Sequence, residues 1–411
     1  MQKPDLRILI TGGGTGGHVS PALAVVQKIR AMADRLDRRP VFRYLGSNGG
    51  VEKELADEAG IDFAGVQTGK LRRARRWWQM ISRKNIVDLA RVPVGVAQAF
   101  AEVKRYRPHV VLATGGYVAV PPVIAAAMRR VPVLIHEQTV QIGLANKIAS
   151  RFASKIALTF EGSALELPVN LRQKAFITGN PVRSVIFDGD RQRAMERFGF
   201  ITTSPSPVPT GEGAGGEVSF PTIYITGGAL GARILNRAVA SILPELLQKT
   251  RVIHQCGRQP EGTEQDFDLL STEAAGLADD LRLRYFVTPF IREEIGDVYA
   301  LSDIVVGRSG AGTVAEICAL GKPAVLVPLV PTGGDEQTKN AKRLADIGGA
   351  VIIKNADLTG PILLDTITRL LADPDKLNTM AAASGTLATP NAADDLATAL
   401  ISLASDEAAT R

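Results

Sequence analysis

Apolar positions fall in short runs separated by helical spacings along most of the chain. The first run, Leu6-Arg7-Ile8-Leu9-Ile10-Thr11, empties into Gly12-Gly13-Gly14-Thr15-Gly16-Gly17-His18, after which Leu23, Val26, Ile29 and Ala33 recur 3, 3 and 4 residues apart. That pattern predicts a strand, a glycine loop and a helix. Further strands are expected at 41–45, 110–113, 133–136, 155–159 and 175–178, with the loops or helices between them that parallel crossovers require. Residues 202–216 are rich in Ser, Pro, Gly and Thr and read as a surface insertion or linker. The plan then restarts. Pro221-Thr222-Ile223-Tyr224-Ile225-Thr226 runs into Gly227-Gly228-Ala229-Leu230-Gly231-Ala232, and strands are expected at 252–255, 283–287, 304–306, 324–327 and 350–353.

A chain of 411 residues exceeds one ordinary core, and 45% hydrophobic with 22% charged residues fits a globular α/β protein. The expected architecture is two doubly wound, Rossmann-like domains facing a central cleft. Their bounds are 1–185, a linker with its insertion over 186–220, 221–385, and a C-terminal helical segment over 386–411 that packs back toward the first domain. Cys256 and Cys318 lie far apart in apolar surroundings and read as buried thiols of a reducing compartment. The N-terminus runs straight into a strand, so no signal peptide is expected. Residues 110–128 carry no charge over 19 positions, yet Gly115-Gly116 and Pro121-Pro122 break them into a strand, a loop and a helix start.

The glycine loops carry the first chemical signal. A glycine turn at a helix N-terminus exposes backbone N–H groups to an anion. Gly12, Gly14 and Gly17 satisfy the dinucleotide spacing, but the second strand ends in Gly46-Ser47-Asn48, without the acid a dinucleotide ribose needs. Two glycine loops suit separate donor and acceptor domains better than a dehydrogenase. The sharpest local signal is 303–316, where a strand leads through Arg308-Ser309-Gly310 to a helix opening Ala311-Gly312-Thr313-Val314-Ala315-Glu316. Glu316 is placed to accept a ribose diol; the plainer reading is that it complements the helix N-terminus. Loop 328–341, with Gln337, offers amide and carboxylate groups to sugar hydroxyls, although Thr332 or Asp335 would serve equally as a helix cap.

Net charge is +6, and its distribution matters more than its size. No acid occurs between Asp62 and Asp88. That window holds Lys70, Arg72, Arg73, Arg75, Arg76, Arg83 and Lys84 around Trp77, Trp78, Met80 and Ile81. Basic residues around an aromatic, apolar centre suit an anionic membrane surface. A solvated loop is the plainer alternative, and no other motif supports nucleic-acid binding.

Taken together, residues 12–21, Thr114-Gly115-Gly116-Tyr117-Val118, His136-Glu137-Gln138, Gly179-Asn180-Pro181-Val182-Arg183, Gly231-Ala232-Arg233-Ile234-Leu235-Asn236, 308–316 and 335–341 resemble the MurG family. These are peripheral N-acetylglucosaminyltransferases of peptidoglycan synthesis, with the GT-B architecture. The resemblance spans nearly the whole chain. It implies a UDP-N-acetylglucosamine donor held mostly by the C-terminal domain, with Arg183 and Ala229 near the diphosphate and the Ile291 backbone at uracil. It places the Ala311-Gly312-Thr313 turn at phosphate, Glu316 at the ribose and Gln337 at the sugar, with Val314 and Ala315 as further substrate contacts. Thr15, Gly16 and Gly17 would reach the donor from across the cleft, Thr139 would be a substrate contact, and His18 and Glu137 would serve the acceptor.

The implied reaction moves N-acetylglucosamine, with inversion, to the muramoyl 4-hydroxyl of undecaprenyl-diphosphate-linked lipid I, giving lipid II. It would run at the cytoplasmic face of the cell membrane without metal or cofactor. Thr139, Ala229 and Glu336 depart from residues common in the family, which bears on affinity more than on reaction class. A UDP-N-acetylglucosamine epimerase of the same fold, or a non-catalytic carrier-binding protein, are the alternatives.

The chain is expected to co-sediment with anionic vesicles, less so in high salt, with an apolar remainder. A Trp77→Ser/Trp78→Ser variant should lose that binding; equal binding would make the segment a solvated loop.

Overall fold

The computed structural model describes residues 3–14, 16–69, 83–200, 220–259, 262–330 and 335–410. Thr15, Thr332, residues 202–216, and the stretch with Lys70, Arg72, Arg73, Arg75, Arg76, Trp77, Trp78, Met80 and Ile81 lie outside them.

The described strands form two sheets in which every neighbouring pair is parallel. The first contains β1 (Asp5–Thr11), β2 (Arg39–Ser47), β3 (Asp62–Val66), β4 (Val110–Ala113), β5 (Val133–Glu137), β6 (Lys155–Leu158) and β7 (Ala175–Ile177), ordered β3-β2-β1-β4-β5-β6-β7. The second contains β8 (Thr222–Thr226), β9 (Arg251–Gln255), β10 (Tyr285–Thr288), β11 (Ile304–Gly307), β12 (Ala324–Leu326) and β13 (Ala350–Ile352), ordered β10-β9-β8-β11-β12-β13. The chain divides into two compact units with one sheet each. One is Met1–Arg183 with Gly333–Glu336 and Thr389–Arg411, the other Ser184–Thr332 with Gln337–Ala388. This is the doubly wound α/β class that the apolar pattern predicts.

Burial on both sheet faces explains why the strands read as continuous apolar runs. In β1, Leu6, Ile8 and Ile10 pack with Val19, Val25, Val26 and Ile29 of helix Gly16–Ala31, while Leu9 joins Val111, Val133 and Ile135 on the opposite face. Each such side chain contributes about 1.5–3 kcal/mol by leaving water. Helix Ala392–Thr410 belongs to the first unit. Its Leu396, Ala397, Leu400 and Leu403 enter the core of helix Gly16–Ala31, and Asp394 pairs with Lys28 at 2.9 Å.

Three local findings refine the sequence picture. β3 escaped the pattern because Asp62-Phe63-Ala64-Gly65-Val66 is a short edge strand that opens on an acid and contains a glycine. Folded structure extends into 186–220, the stretch expected as a linker. Helix Arg191–Arg197 is capped by the Asp190 carboxylate, and its Arg193 and Arg197 pair with the buried Asp297 of the second unit. Residues 110–128 resolve into β4, a glycine loop and helix Val120–Met128, whose Pro121 and Pro122 occupy the first turn, where no N–H is needed. Among the described residues no helix is long and apolar enough to cross a membrane. Cys256 and Cys318 are buried free thiols, both pushed up to about 11 by burial.

Two core histidines make stability depend on pH. His254 on β9 lies between the Tyr285 hydroxyl, 2.9 Å from Nδ1, and Asn236 Oδ1, 3.0 Å from Nε2, and burial lowers its pKa to about 3. His136 on β5 donates from Nε2 to the Gly179 carbonyl at 2.9 Å, and burial lowers it to about 4. Below the ordinary 6.5 the unfolded chain protonates both rings while the folded chain keeps them neutral. The stability they supply is complete above that value. It falls as acidification proceeds toward pH 4, by about 1.4 kcal/mol per pH unit for each ring. The urea-unfolding midpoint is therefore expected to drop between pH 7 and pH 5.5; an unchanged midpoint would contradict the buried neutral rings.

Candidate active site

Strand order reverses between β1 and β4 in one sheet and between β8 and β11 in the other, and the chain leaves each pair in opposite directions. The crevice outside the carboxyl ends of such strands is where ligands bind in open α/β sheets. The described loops after β1, β4, β5, β8, β11 and β12 leave from these ends or from a neighbouring strand, whereas 179–183 follows β7 and Ile291 follows β10, farther along their sheets.

In the first unit, Thr11 pairs with Ala113, so the loops after β1 and β4 start side by side. They are stitched by Thr114 N–H to the Thr11 carbonyl at 2.9 Å and Gly13 N–H to the Gly115 carbonyl at 3.2 Å. Gly14 has a φ of +84°, and a β-carbon there would meet the Tyr117 ring at 2.7 Å. Thr114 holds His18 twice. Its hydroxyl donates to the His18 carbonyl at 2.6 Å, and its own carbonyl lies 3.2 Å from His18 Nδ1. A carbonyl only accepts, so Nδ1 carries the proton and Nε2 keeps the basic lone pair. Gln138 donates to the same carbonyl at 2.8 Å and fixes it further. Burial lowers the His18 pKa below 6.5, opposed by the Glu137 carboxylate, the bonds to Thr114 and Gln138, and the Glu52 carboxylate.

Glu137 is buried, and both of its oxygens are engaged. Oε1 accepts from Thr139 N–H at 3.0 Å and the Thr139 hydroxyl at 2.8 Å; Oε2 accepts from Gly143 N–H at 2.9 Å and Asn146 Nδ2 at 3.0 Å. Thr139 is likewise buried, with its N–H on Glu137 and its hydroxyl shared between Glu137 Oε1 and the Gln141 carbonyl, 2.6 Å away. Gly16 and Gly17 form the first turn of helix Gly16–Ala31.

Glu52 supports the candidate site from below, and the sequence reading did not single it out. It is fully buried beneath the first glycine loop, where it accepts from Ser47 N–H at 2.9 Å, from the Ser47 hydroxyl, and from Gly14 N–H at 3.3 Å. A β-carbon on Gly13 would meet its carboxylate at 2.6 Å. The end of β2 thus has a carboxylate in space, although none follows it directly in sequence. Since it takes a loop N–H, it turns that part of the loop inward.

In the second unit, Thr226 pairs with Gly307, which sets the loops after β8 and β11 next to each other. Gly228 N–H donates to Thr226 Oγ1 at 3.1 Å, and the Ala229 carbonyl accepts from Arg258 N–H at 2.9 Å. Gly231 has a φ of +75°, and a β-carbon there would strike the Cys256 carbonyl. Gln255 bridges two loops: its Oε1 accepts from Ile291 N–H at 3.0 Å and its Nε2 donates to Thr226 Oγ1 at 3.3 Å. Ile291 is left with its carbonyl as the backbone group for a ligand.

After β11, Gly310 starts helix Ala311–Ala319, and the N–H groups of its first turn have no acceptor within the helix. Arg308 anchors this turn from below, donating to the Val327 carbonyl at 2.9 Å and Asn355 Oδ1 at 2.7 Å. Ser309 donates to the Gln337 carbonyl at 2.7 Å, and Gln337 Oε1 accepts from Leu329 N–H at 2.9 Å, which directs Gln337 Nε2 to act as a donor. Glu316 lies in the second turn, and its Oε2 accepts from the Tyr299 hydroxyl at 2.9 Å. The second unit thus gathers Ala229, Ile291, Ala311, Gly312, Thr313, Val314, Ala315, Glu316 and Gln337 around its switch point. The first gathers Gly16, Gly17, His18, Glu137 and Thr139, and Arg183 closes its leading segment.

Residues 8–158 match the glycosyltransferase family 28 N-terminal domain and residues 222–396 the glycosyltransferase family 28 C-terminal domain. A UDP-N-acetylglucosamine–N-acetylmuramyl-(pentapeptide) pyrophosphoryl-undecaprenol N-acetylglucosamine transferase of Bacillus cereus is 35% identical over 91% of this chain and 94% of its own length. The correspondingly named protein of Legionella pneumophila is 31% identical over 90% of each chain. The crystal structure of Acinetobacter baumannii MurG superposes with a TM-score of 0.65 at 26% identity, covering 97% of this chain and all of that one. UDP-GlcNAc 2-epimerase from Neisseria meningitidis reaches a TM-score of 0.63 at 14% identity over 96% of this chain and 100% of that one, a likeness of fold alone. On sequence and fold together, the chain belongs to the MurG family of N-acetylglucosamine transferases within glycosyltransferase family 28.

Proposed function

We propose that this chain transfers N-acetylglucosamine from UDP-N-acetylglucosamine to the muramoyl 4-hydroxyl of undecaprenyl-diphosphate-linked lipid I, with inversion. The observation that carries this is 35% identity across 91% of the chain to a transferase of that name. The epimerase alternative has only a likeness of fold behind it.

The roles carried over from the family resemblance are consistent with the geometry. His18 Nε2 takes the proton of the attacking hydroxyl; a pKa lowered by burial keeps the ring neutral and ready at pH 7. The hydroxyl oxygen forms its bond to the anomeric carbon as the bond to UDP breaks, and UDP departs with the electron pair. The N-terminal end of helix Ala311–Ala319, with its positive dipole end, and the 227–231 glycine turn favour that growing charge. Arg183 adds a cation near the diphosphate. Glu137, whose carboxylate is taken up by Thr139, Gly143 and Asn146, anchors the loop that follows β5 and is not assigned as the base. Ile291 offers its carbonyl to the uracil N3–H, Glu316 accepts the ribose diol, and Gln337 donates to the sugar. Thr15, Gly16 and Gly17 are assigned to the donor on the family resemblance alone. The basic-aromatic stretch around Trp77 and Trp78 docks the protein on the anionic cytoplasmic face, where the acceptor's lipid tail stays in the bilayer.

The test is incubation with UDP-N-acetylglucosamine, with and without a lipid I analogue. Acceptor-dependent UDP release is expected; sugar conversion without acceptor would mean epimerase, and binding without turnover a scaffold. In the same assay His18→Ala should lower kcat roughly 10²–10⁴-fold while UDP affinity holds. The acid limb of the parent's kcat/KM profile should lie below pH 6.5, with the rate falling as His18 protonates. Near-normal turnover by His18→Ala would remove the ring from the chemistry. Glu316→Gln should weaken UDP roughly tenfold in calorimetry, because a carboxylate acceptor becomes a neutral amide. An unchanged dissociation constant would take Glu316 out of the donor site.

A further inference from the structure

We propose that Tyr299 is a positioning residue that sets ribose specificity by holding the Glu316 carboxylate through its phenolic hydroxyl. The proposal rests on the reading of Glu316 as the ribose acceptor and adds the residue that orients it.

Tyr299 lies in helix Ile295–Leu301, whose side chains are buried on nearly every side. It is 1% exposed, and its ring meets that of Tyr224 on β8 edge to face, with centroids 5.5 Å apart and planes at 83°. Tyr224 points to the face of β8 opposite Ile223 and Ile225, which belong to the main core of the second unit. The Tyr299 ring is therefore fixed by packing, and its hydroxyl has a set direction. That hydroxyl donates to Glu316 Oε2 at 2.9 Å across 17 residues of chain, with β11 in between.

The consequence is geometric. A carboxylate offers about four acceptor positions in one plane. The bond to Tyr299 occupies one of them and restricts the rotation of the group. A ribose diol presents two hydroxyls in a rigid arrangement, so a carboxylate held in one orientation binds both with little loss of rotamer freedom. A carboxylate left to rotate gives up much of that advantage. The same bond separates the two earlier readings of Glu316. A residue that merely complemented its own helix N-terminus would have no need of a buried phenol from another helix.

The experiment is calorimetry of UDP and of 2′-deoxy-UDP against the full chain and its Tyr299→Phe, Glu316→Ala and double variants. Phenylalanine keeps the ring against Tyr224 and removes only the hydroxyl. The parent is expected to prefer UDP. Tyr299→Phe should weaken UDP about five- to tenfold and 2′-deoxy-UDP less, so the preference shrinks. In the Glu316→Ala background the same substitution should change neither ligand further, the mark of a residue acting through its partner. A packing defect would weaken both ligands alike and leave the ratio at the parent's value, which would overturn the proposal. If Tyr299→Phe keeps the ratio while Glu316→Ala loses it, Glu316 stays at the ribose and Tyr299 is only core. If Glu316→Ala also keeps the ratio, the ribose reading fails, and this inference with it.

Discussion

In a parallel sheet the chain leaves every strand at the same end, and where successive crossovers run to opposite sides nothing of the fold covers that end. The constraint acts twice here, above β1 and β4 and above β8 and β11. Loops that leave such strand ends begin within one strand spacing of each other, so short turns can meet without long connections. The Thr114 clamp on His18 needs Thr11 and Ala113 to be register partners. The neighbouring 227–231 and 308–310 turns need the pairing of Thr226 with Gly307.

What shapes the loops is the disposal of their inward polar groups. An N–H or carboxylate buried without a partner is costly, and several beneath the site have found one. Glu52 receives Gly14, Glu137 receives Thr139 and Gly143, and Gln255 receives Ile291. Each bond also fixes what remains for a ligand. Ile291 is left with an acceptor, Gln337 with a donor, and His18 with a basic Nε2. The chemistry of the site is thus largely the complement of its internal hydrogen bonding.

The fold itself is shared by proteins of different activity. An epimerase and a transferase superpose on this chain with TM-scores of 0.63 and 0.65. Two doubly wound units with anion-binding turns suit any reaction of a nucleotide sugar, and fold alone does not choose among them. The choice comes from side chains placed on the turns, which is why identity along the whole chain carries the assignment.

The sequence by itself determined the two-unit plan, the parallel strands and the position of the phosphate-type turns, because these follow from local rules. A strand buried on both faces must be apolar throughout, and a turn whose backbone passes close to a neighbour must be glycine. Gly231 under the Cys256 carbonyl and Gly14 against the Tyr117 ring are legible in this way. Edge strand β3 was not, since one-sided pairing permits a polar, glycine-containing segment. Nor were the residues that act from a distance in sequence. Glu52 reaches the first glycine loop from 38 residues away, Thr114 reaches His18 from 96, and Tyr299 reaches Glu316 from 17. No periodicity encodes such pairs, because each partner only has to be polar and correctly aimed once the sheet order is set. Only the tertiary structure decided them: the crossovers bring distant strand ends together, and the cost of burial then favours partners for the polar groups gathered there.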